Sequence, residues 1–480
     1  MGTITAEMFQ AILPEVCLLL LAVIVLAVDL LVPDERKGVL PWLTALGLAL
    51  TLVFSLLFGL PGSESTSVWG GMLRHDLIGF VFKMLFIFGA LIVVLFSMDY
   101  EEFGKRGEYY VLMLISLMGM TLMSSAGDLI MLFLSIETTS IPLYVLSGFL
   151  TGDDKSTESG IKYLLFGSMT TAIMVYGFSL LYGFSGTTDL YKLAGAFADM
   201  PAIPLIGSIL LILVGFAFKV SMAPFHFWAP DVYEGAPTPI TAFLSTASKG
   251  AGFAVLLRVL LAAFPGVLAD WSFLVSVGAA LTMTVGNYIA MKQTNIKRLL
   301  AYSSIAHAGY MLIGVASAST LGVTSVVYYI IVYLLTNLAA FGIVIIASKT
   351  LGSDELEAYN GLSRRNPALA VLMLVAFLSL AGIPPMGGFI AKVLVFAAAV
   401  QADLVWLAFV GVINAIIGLY YYLIVLKRVY LYRSEGDEEP MKLPTTQTAA
   451  LAVLIIGILA MGVIVAPWFQ LTSSSALDLF

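Results

Sequence analysis

Apolar residues run along this chain in stretches of about 20, each separated from the next by a short polar link. A helix of that length covers the ~30 Å hydrocarbon core of a bilayer. The pattern predicts spans at 11–32, 39–60, 77–98, 109–126, 128–150, 160–183, 203–232, 237–263, 270–291, 297–317, 323–348, 367–400, 402–428 and 446–468. The expected fold is an all-α integral membrane protein of about fourteen transmembrane helices. No link is long enough for an independent soluble domain. The first run has no basic stretch before it and no small-residue cleavage site after it, so it reads as a retained helix rather than a signal peptide.

Two spans, 203–232 and 367–400, exceed one straight crossing, and both carry helix breakers midway. The first has Pro224 in KVSMAPFHFWAP; the second has Gly382, Pro384, Pro385, Gly387 and Gly388 in AGIPPMGGFIAK. Unpaired backbone at such breaks persists in a membrane only beside a cavity or protein partners. Transporters place ion sites there, and a matched pair of breaks points to an internal repeat. Helices 4–8 and 9–13 then form two five-helix repeats, each broken in its fourth helix. An odd number of helices per repeat inverts the second relative to the first. The organisation expected is an N-terminal three-helix segment (1–108), a first repeat (109–263), an inverted repeat (270–428) and a C-terminal helix and tail (446–480).

Composition agrees: 60% of residues are hydrophobic and 11% charged, against about 25% charged in soluble chains. The net charge of −7 matters less than where each charge falls. Sixteen of the 23 Lys and Arg lie in links after odd-numbered helices, among them Arg36, Arg106, Arg298, Arg365 and Lys442. Only Arg74 and Lys192 lie in links after even ones. By the positive-inside rule the odd links are cytoplasmic and both termini of this multi-pass protein lie outside. The single cysteine, Cys17, excludes disulfides, iron–sulfur clusters and CxxC redox chemistry within the chain. There is no HExxH, no GxxxxGK[ST] and no GxGxxG after a strand, so no metal or nucleotide cofactor site is expected.

Five basic residues remain, all within apolar spans: Lys83, Lys219, Lys249, Arg258 and Lys392. A charge there costs between ~3 and more than ~10 kcal/mol, depending on how far it can snorkel. If Asp128 caps its helix, Glu137 lies roughly 14 Å deep, with Thr138 and Ser140 as neighbours able to satisfy it. Lys249 lies about 15 Å beyond Pro239, among Ser245, Thr246 and Ser248. Lys219 and Lys392 each accompany a broken helix and are expected in equivalent places. His307 shares a polar helix face with Ser303, Ser304 and Tyr310, and His226 follows the first break; both suit a relay. Lys83 is expected to snorkel to an interface, Arg258 to pair elsewhere or reach the outer surface, Glu15 and Asp29 to be interfacial, and His75 to sit in a surface link. Burial disfavours the charged form of either group, while an opposite charge restores it. A buried Glu137–Lys219 pair would therefore act as a two-state proton switch.

The motifs FKVSMAPFHFWAPDVYEGAPTPITAFLSTASKGAGF, QTNIKRLLAYSSIAHAGYM and LSLAGIPPMGGFIAK resemble those of the antiporter-like subunits of respiratory complex I. The resemblance covers essentially the whole chain. It implies a central hydrophilic axis of Glu137, Lys219, Lys249 and Lys392 that moves protons. It also implies that NADH, flavin, iron–sulfur clusters and quinone belong to partner subunits of the membrane arm and beyond, with none bound in this chain. Lysine at 392, the stretch WAPDVYEGAP and the lack of a long helix after span fourteen favour one of the family's three types. Two rivals remain from the residues alone: a subunit of a multisubunit sodium/proton antiporter, and a solute transporter. Buried anion sites favour arginine forks, and only Arg258 is available for the latter. Nothing suggests nucleic-acid binding.

Overall fold

Backbone groups in hydrocarbon have no water to bond, so the chain must satisfy them internally. A computed structural model, describing residues 5–62, 64–197, 201–434, 440–441 and 443–480, does so almost entirely with helices. The first six are α1 (Ala6–Leu31), α2 (Val39–Phe58), α3 (Leu77–Ser97), α4 (Gly107–Ser125), α5 (Leu129–Ser147) and α6 (Asp154–Ser185). The next six are α7 (Leu190–Ala196), α8 (Ala202–Val220), α9 (Trp228–Gly235), α10 (Thr238–Phe243), α11 (Lys249–Ala263) and α12 (Leu268–Ala290). Then come α13 (Ile296–Ala316), α14 (Thr320–Leu351), α15 (Leu362–Arg365), α16 (Pro367–Ala381), α17 (Gly387–Gln401), α18 (Val405–Leu431), α19 (Thr445–Val463) and α20 (Val465–Ala476).

Among the described residues, 13 helical stretches are long and apolar enough to cross a membrane, and α16 and α17 are shorter apolar pieces of one further span. The chain is an all-α integral membrane protein. The hydropathy pattern did not announce one feature, the hairpin β1 (Thr66–Val68) with β2 (Leu73–His75), paired antiparallel between α2 and α3. Lys442 lies outside the described residues.

The spans start where their caps dictate. Asp128 Oδ1 accepts the amide of Ile130 at 2.8 Å, fixing the start of α5, and Asn295 Oδ1 accepts that of Lys297 at 2.9 Å, fixing α13; both satisfy orphan donors of a first turn. The helices that follow, α6 and α14, are each 32 residues long. Each ends on a glycine with φ +67°, Gly186 and Gly352, where a side chain would cost left-handed strain. Asp128 then bridges to Asp189, and Asn295 to Glu355. The same sequence of Asx cap, 32-residue helix, left-handed glycine and bridge thus occurs twice along the chain.

The chain divides into two units, one of Met1–Val220, Ala247–Trp271 and Ser474–Phe480, the other of Ser221–Thr246 and Ser272–Ser473. In the first, α1 and α2 turn apolar side chains such as Leu19, Val23, Leu46 and Val53 outward, as lipid-facing helices do. In the second, α13 and α14 are buried almost throughout.

Candidate functional site

In the first unit, Glu137, Ser140 and Tyr144 stand at i, i+3 and i+7 of α5, one helix face. Lys219, in the last turn of α8, is buried and donates from Nζ to Ser140 Oγ at 2.9 Å. Ser140 in turn donates to the Ile136 carbonyl at 2.6 Å. The expected direct Glu137–Lys219 ion pair is absent among the described contacts. Ser140, one turn along, receives the lysine, and Glu137 Oε1 is buried without a hydrogen-bond partner among the described residues. Ser140, Tyr144, Thr171, Lys219 and Gly252 border a cavity of about 10 Å³, the scale that seats a single water.

Lys249 is 1% exposed and opens α11. Gly252, three residues on, lets α8 approach: a Cβ there would meet Lys219 Cγ at 3.2 Å. The two lysines thus lie on neighbouring helices of one unit. Ahead of Lys249 the helix widens into a π turn, Leu244–Ser248. The hydroxyls of Ser245 and Thr246 both bond back to the Ala242 carbonyl, at 3.0 and 2.6 Å. Such back-bonding competes with the α-helical ladder, and π turns recur at functional sites.

The second unit holds Lys392. The α16 helix stops at Gly382, whose φ is +84°, leaving the last carbonyls of α16 to find donors outside the ladder. Lys392 Nζ donates to two of them, Leu380 at 3.0 Å and Ala381 at 2.8 Å, and stands 5.1 Å from the Tyr310 ring centroid. A cation at a helix C-terminus also meets the negative end of the helix dipole. Lys219 and Lys392 are therefore not in equivalent places. Lys219 precedes its break, on α8, whereas Lys392 follows its own, on α17, and folds back to satisfy it.

His307 lies in a tyrosine cage of the same unit. Its Nδ1 is 2.8 Å from the Tyr329 hydroxyl and its Nε2 3.1 Å from that of Tyr422, which also bonds Ser303. The result is a continuous hydroxyl–imidazole chain, Ser303–Tyr422–His307–Tyr329. His226, beyond the first break, is 3% exposed; its ring lies 4.4 Å from that of Phe227 and its Nδ1 has no partner among the described residues.

Arg258 and Lys83 are both buried in ion pairs, so that Arg258 takes the first of its two expected courses. Arg258 Nη1 pairs with Asp76 Oδ2 at 2.6 Å, with both side chains at most 2% exposed. Lys83 pairs with Glu15 at 2.9 Å. Glu15 and His75 are buried, at 6% and 7%, and His75 thus lies inside its link rather than on the surface. Asp29 does sit at a helix end, 3.1 Å from Lys37. Partner choice between distant helices left no mark in local spacing; a carboxylate buried in one span and a lysine in another was the available hint.

Residues 125–418 match the family described as NADH:quinone oxidoreductase/Mrp antiporter, TM. The chain is 43% identical over 459 residues to NADH-quinone oxidoreductase subunit N of Moorella thermoacetica, covering 95% of each. It is 36% identical to the chloroplastic NAD(P)H-quinone oxidoreductase subunit 2 of Mesostigma viride, covering 98% of this chain and 96% of that one. Among solved structures it matches a chain of respiratory complex I from Thermus thermophilus with TM-score 0.81 and 33% identity, over 95% of this chain and 98% of that one. A chain of the Mrp complex from Dietzia shares the fold, with TM-score 0.84 at 20% identity over 99% and 98%. The chain belongs to the NADH:quinone oxidoreductase/Mrp antiporter transmembrane family, alongside members named subunit N.

Proposed function

We propose that this chain is a proton-translocating membrane-arm subunit of an NADH:quinone oxidoreductase, coupling quinone reduction elsewhere in the complex to proton movement through Glu137, Lys219, Lys249 and Lys392. His226 and His307 serve as relays. Further antiporter-like subunits flank it in the membrane, and NADH, flavin, iron–sulfur clusters and quinone are held by partners. In this reading the chain lies in a bacterial plasma membrane with both termini outside, and residues 109–263 and 270–428 form two five-helix repeats, the second inverted relative to the first. The observation that carries it is Lys219, buried and held by Ser140 on the helix face that bears Glu137.

The chemistry follows from that spacing. A proton arriving on Glu137 removes the anion that favours a charged Lys219, whose proton then passes toward Lys249 on the neighbouring α11. Replacing Lys219 by Met in the complete complex, reconstituted in vesicles, is expected to cut proton movement at least tenfold. Unchanged proton movement would overturn the proposal. A sodium/proton antiporter is the second reading, favoured by the shared family and fold; sodium-driven proton release without any electron donor would select it.

A further inference from the structure

The N-terminal segment holds a second group of buried ionisable residues, outside the stretch 125–418 that matches the family. Glu15 on α1 and Lys83 on α3 form an ion pair of 2.9 Å with side chains only 7% and 6% exposed. Lys83 Nζ also donates to the Ala11 carbonyl at 2.7 Å. Beside them His75 ends β2, buried, with Nε2 lacking any partner among the described residues. The charged groups facing this imidazole are Lys83 and Asp76 around the start of α3, and Glu7 and Glu15 on α1. Asp76 is already committed, to Arg258 and to the Gly79 amide at 2.9 Å. Cys17, also on α1, neighbours Glu15.

A purely structural cross-link explains this poorly. Burying two charges costs about as much as their attraction returns, and apolar side chains of the same volume hold helices equally well. An unpartnered imidazole buried beside the pair is a further cost with no structural gain. We propose that Glu15, Lys83 and His75 form a second proton-exchange site, at the hairpin end of α3, through which the N-terminal segment trades protons with water. Lys83 gives a proton from Nζ, by way of an intervening water, to the lone pair of His75 Nε2, which no protein group among the described residues occupies, and becomes a neutral amine. Glu15 balances the imidazolium, which releases the proton at the hairpin, and Lys83 is reloaded from within.

Burial, with the Lys83 charge, holds His75 below the usual histidine range, so the ring is neutral at neutral pH. Acidifying the hairpin side protonates it and closes the site.

The inference rests on the proton-moving reading, and the test separates the two. The complete complex is reconstituted in vesicles and proton release per turnover is followed while the hairpin-side pH falls from about 7 to 5. The unsubstituted complex should lose at least half of its release over that range. His75→Gln should flatten the dependence. The double variant Glu15→Gln/Lys83→Met, which removes both charges together, should assemble and lower release at least twofold at every pH, and Glu15→Asp/Lys83→Arg, which keeps the ion pair but cannot give up its proton, should stay equally low. Unchanged release and an unchanged pH profile in the assembled double variant would overturn the site, as would restored assembly with no change in profile. Normal proton movement in Lys219→Met would instead defeat the axis, leaving the His75 pH dependence to be scored separately.

Discussion

Lys392 Nζ lies 2.8 Å from the carbonyl oxygen of Ala381, so the charge that follows the break in its span also satisfies it. Ammonium and broken helix are thereby coupled. A protonated lysine offers three donors to the carbonyls that Gly382 leaves without an α-helical partner. A lysine that has passed on its proton binds them less well and is free to swing. The break is thus a receiver whose hold on Lys392 depends on charge.

Gly382→Ala tests that coupling. The residue sits at φ +84°, and an added Cβ would meet Lys392 Cδ at 2.8 Å and Nζ at 3.2 Å. Left-handed backbone costs a non-glycine residue about 1–2 kcal/mol, and the lysine must leave its carbonyls to make room. Thermal unfolding of the assembled complex should report a loss of that order, and proton release should fall severalfold. A variant as stable and as active as the parent would show that the Lys392–carbonyl contact is incidental.

Ser140→Ala addresses the other broken span. Its hydroxyl is the acceptor for Lys219, and alanine leaves a buried ammonium short of a partner, at a cost of about 1–3 kcal/mol. The ammonium must then turn to Glu137, whose Oε1 has no hydrogen-bond partner among the described residues. A tighter Glu137–Lys219 pair holds its proton longer, so turnover should slow severalfold, with the effect largest at high driving force. Ser140→Thr keeps the hydroxyl and should retain most of the rate. Equal rates for alanine and threonine would remove Ser140 from the path.

Much of this arrangement was legible in the sequence, for identifiable reasons. Asp128 announced a helix start because an Asx cap acts on amides two and three residues away. Pro224 and Gly382 announced the breaks because backbone rules are local. Lys392 was found as a charge in an apolar span beside a break, but its role in closing that break was not, since nothing in the spacing says that a side chain after a break folds back across it. The hairpin is too short to show a two-residue period, and so His75 read as surface. The Arg258–Asp76 pair spans 182 residues; it depends on which helix faces pack, and a single chain carries no record of that.

The tyrosine cage of His307 makes a different demand. Tyr422 joins Ser303 to His307 Nε2 through one hydroxyl. Tyr422→Phe keeps the ring and deletes the link, so packing changes little while the chain of proton-carrying groups is cut. Proton release should drop severalfold with assembly unaltered, and the solvent deuterium isotope effect should change with it. Retention of both values would assign His307 a packing role.

Arg258 and Asp76 give the sharpest contrast between a charge that works and one that only holds. Asp76 caps α3 through the Gly79 amide and accepts both Arg258 nitrogens, at 2.6 and 3.0 Å. Arg258 also donates to the Tyr191 hydroxyl at 2.6 Å and the Ser124 carbonyl at 2.8 Å. Both terminal nitrogens are fully engaged, two bonds each, and guanidinium does not release its proton in proteins. This pair is therefore a clamp. Arg258→Met strands a buried carboxylate and should cost about 3–5 kcal/mol, seen as loss of assembled complex. Adding Asp76→Asn removes the stranded charge while keeping the cap, and should recover more than half of that loss. Proton release per assembled complex should be unchanged in the double variant, whereas a pump residue would lower it, so reduced release from fully assembled protein would contradict the clamp.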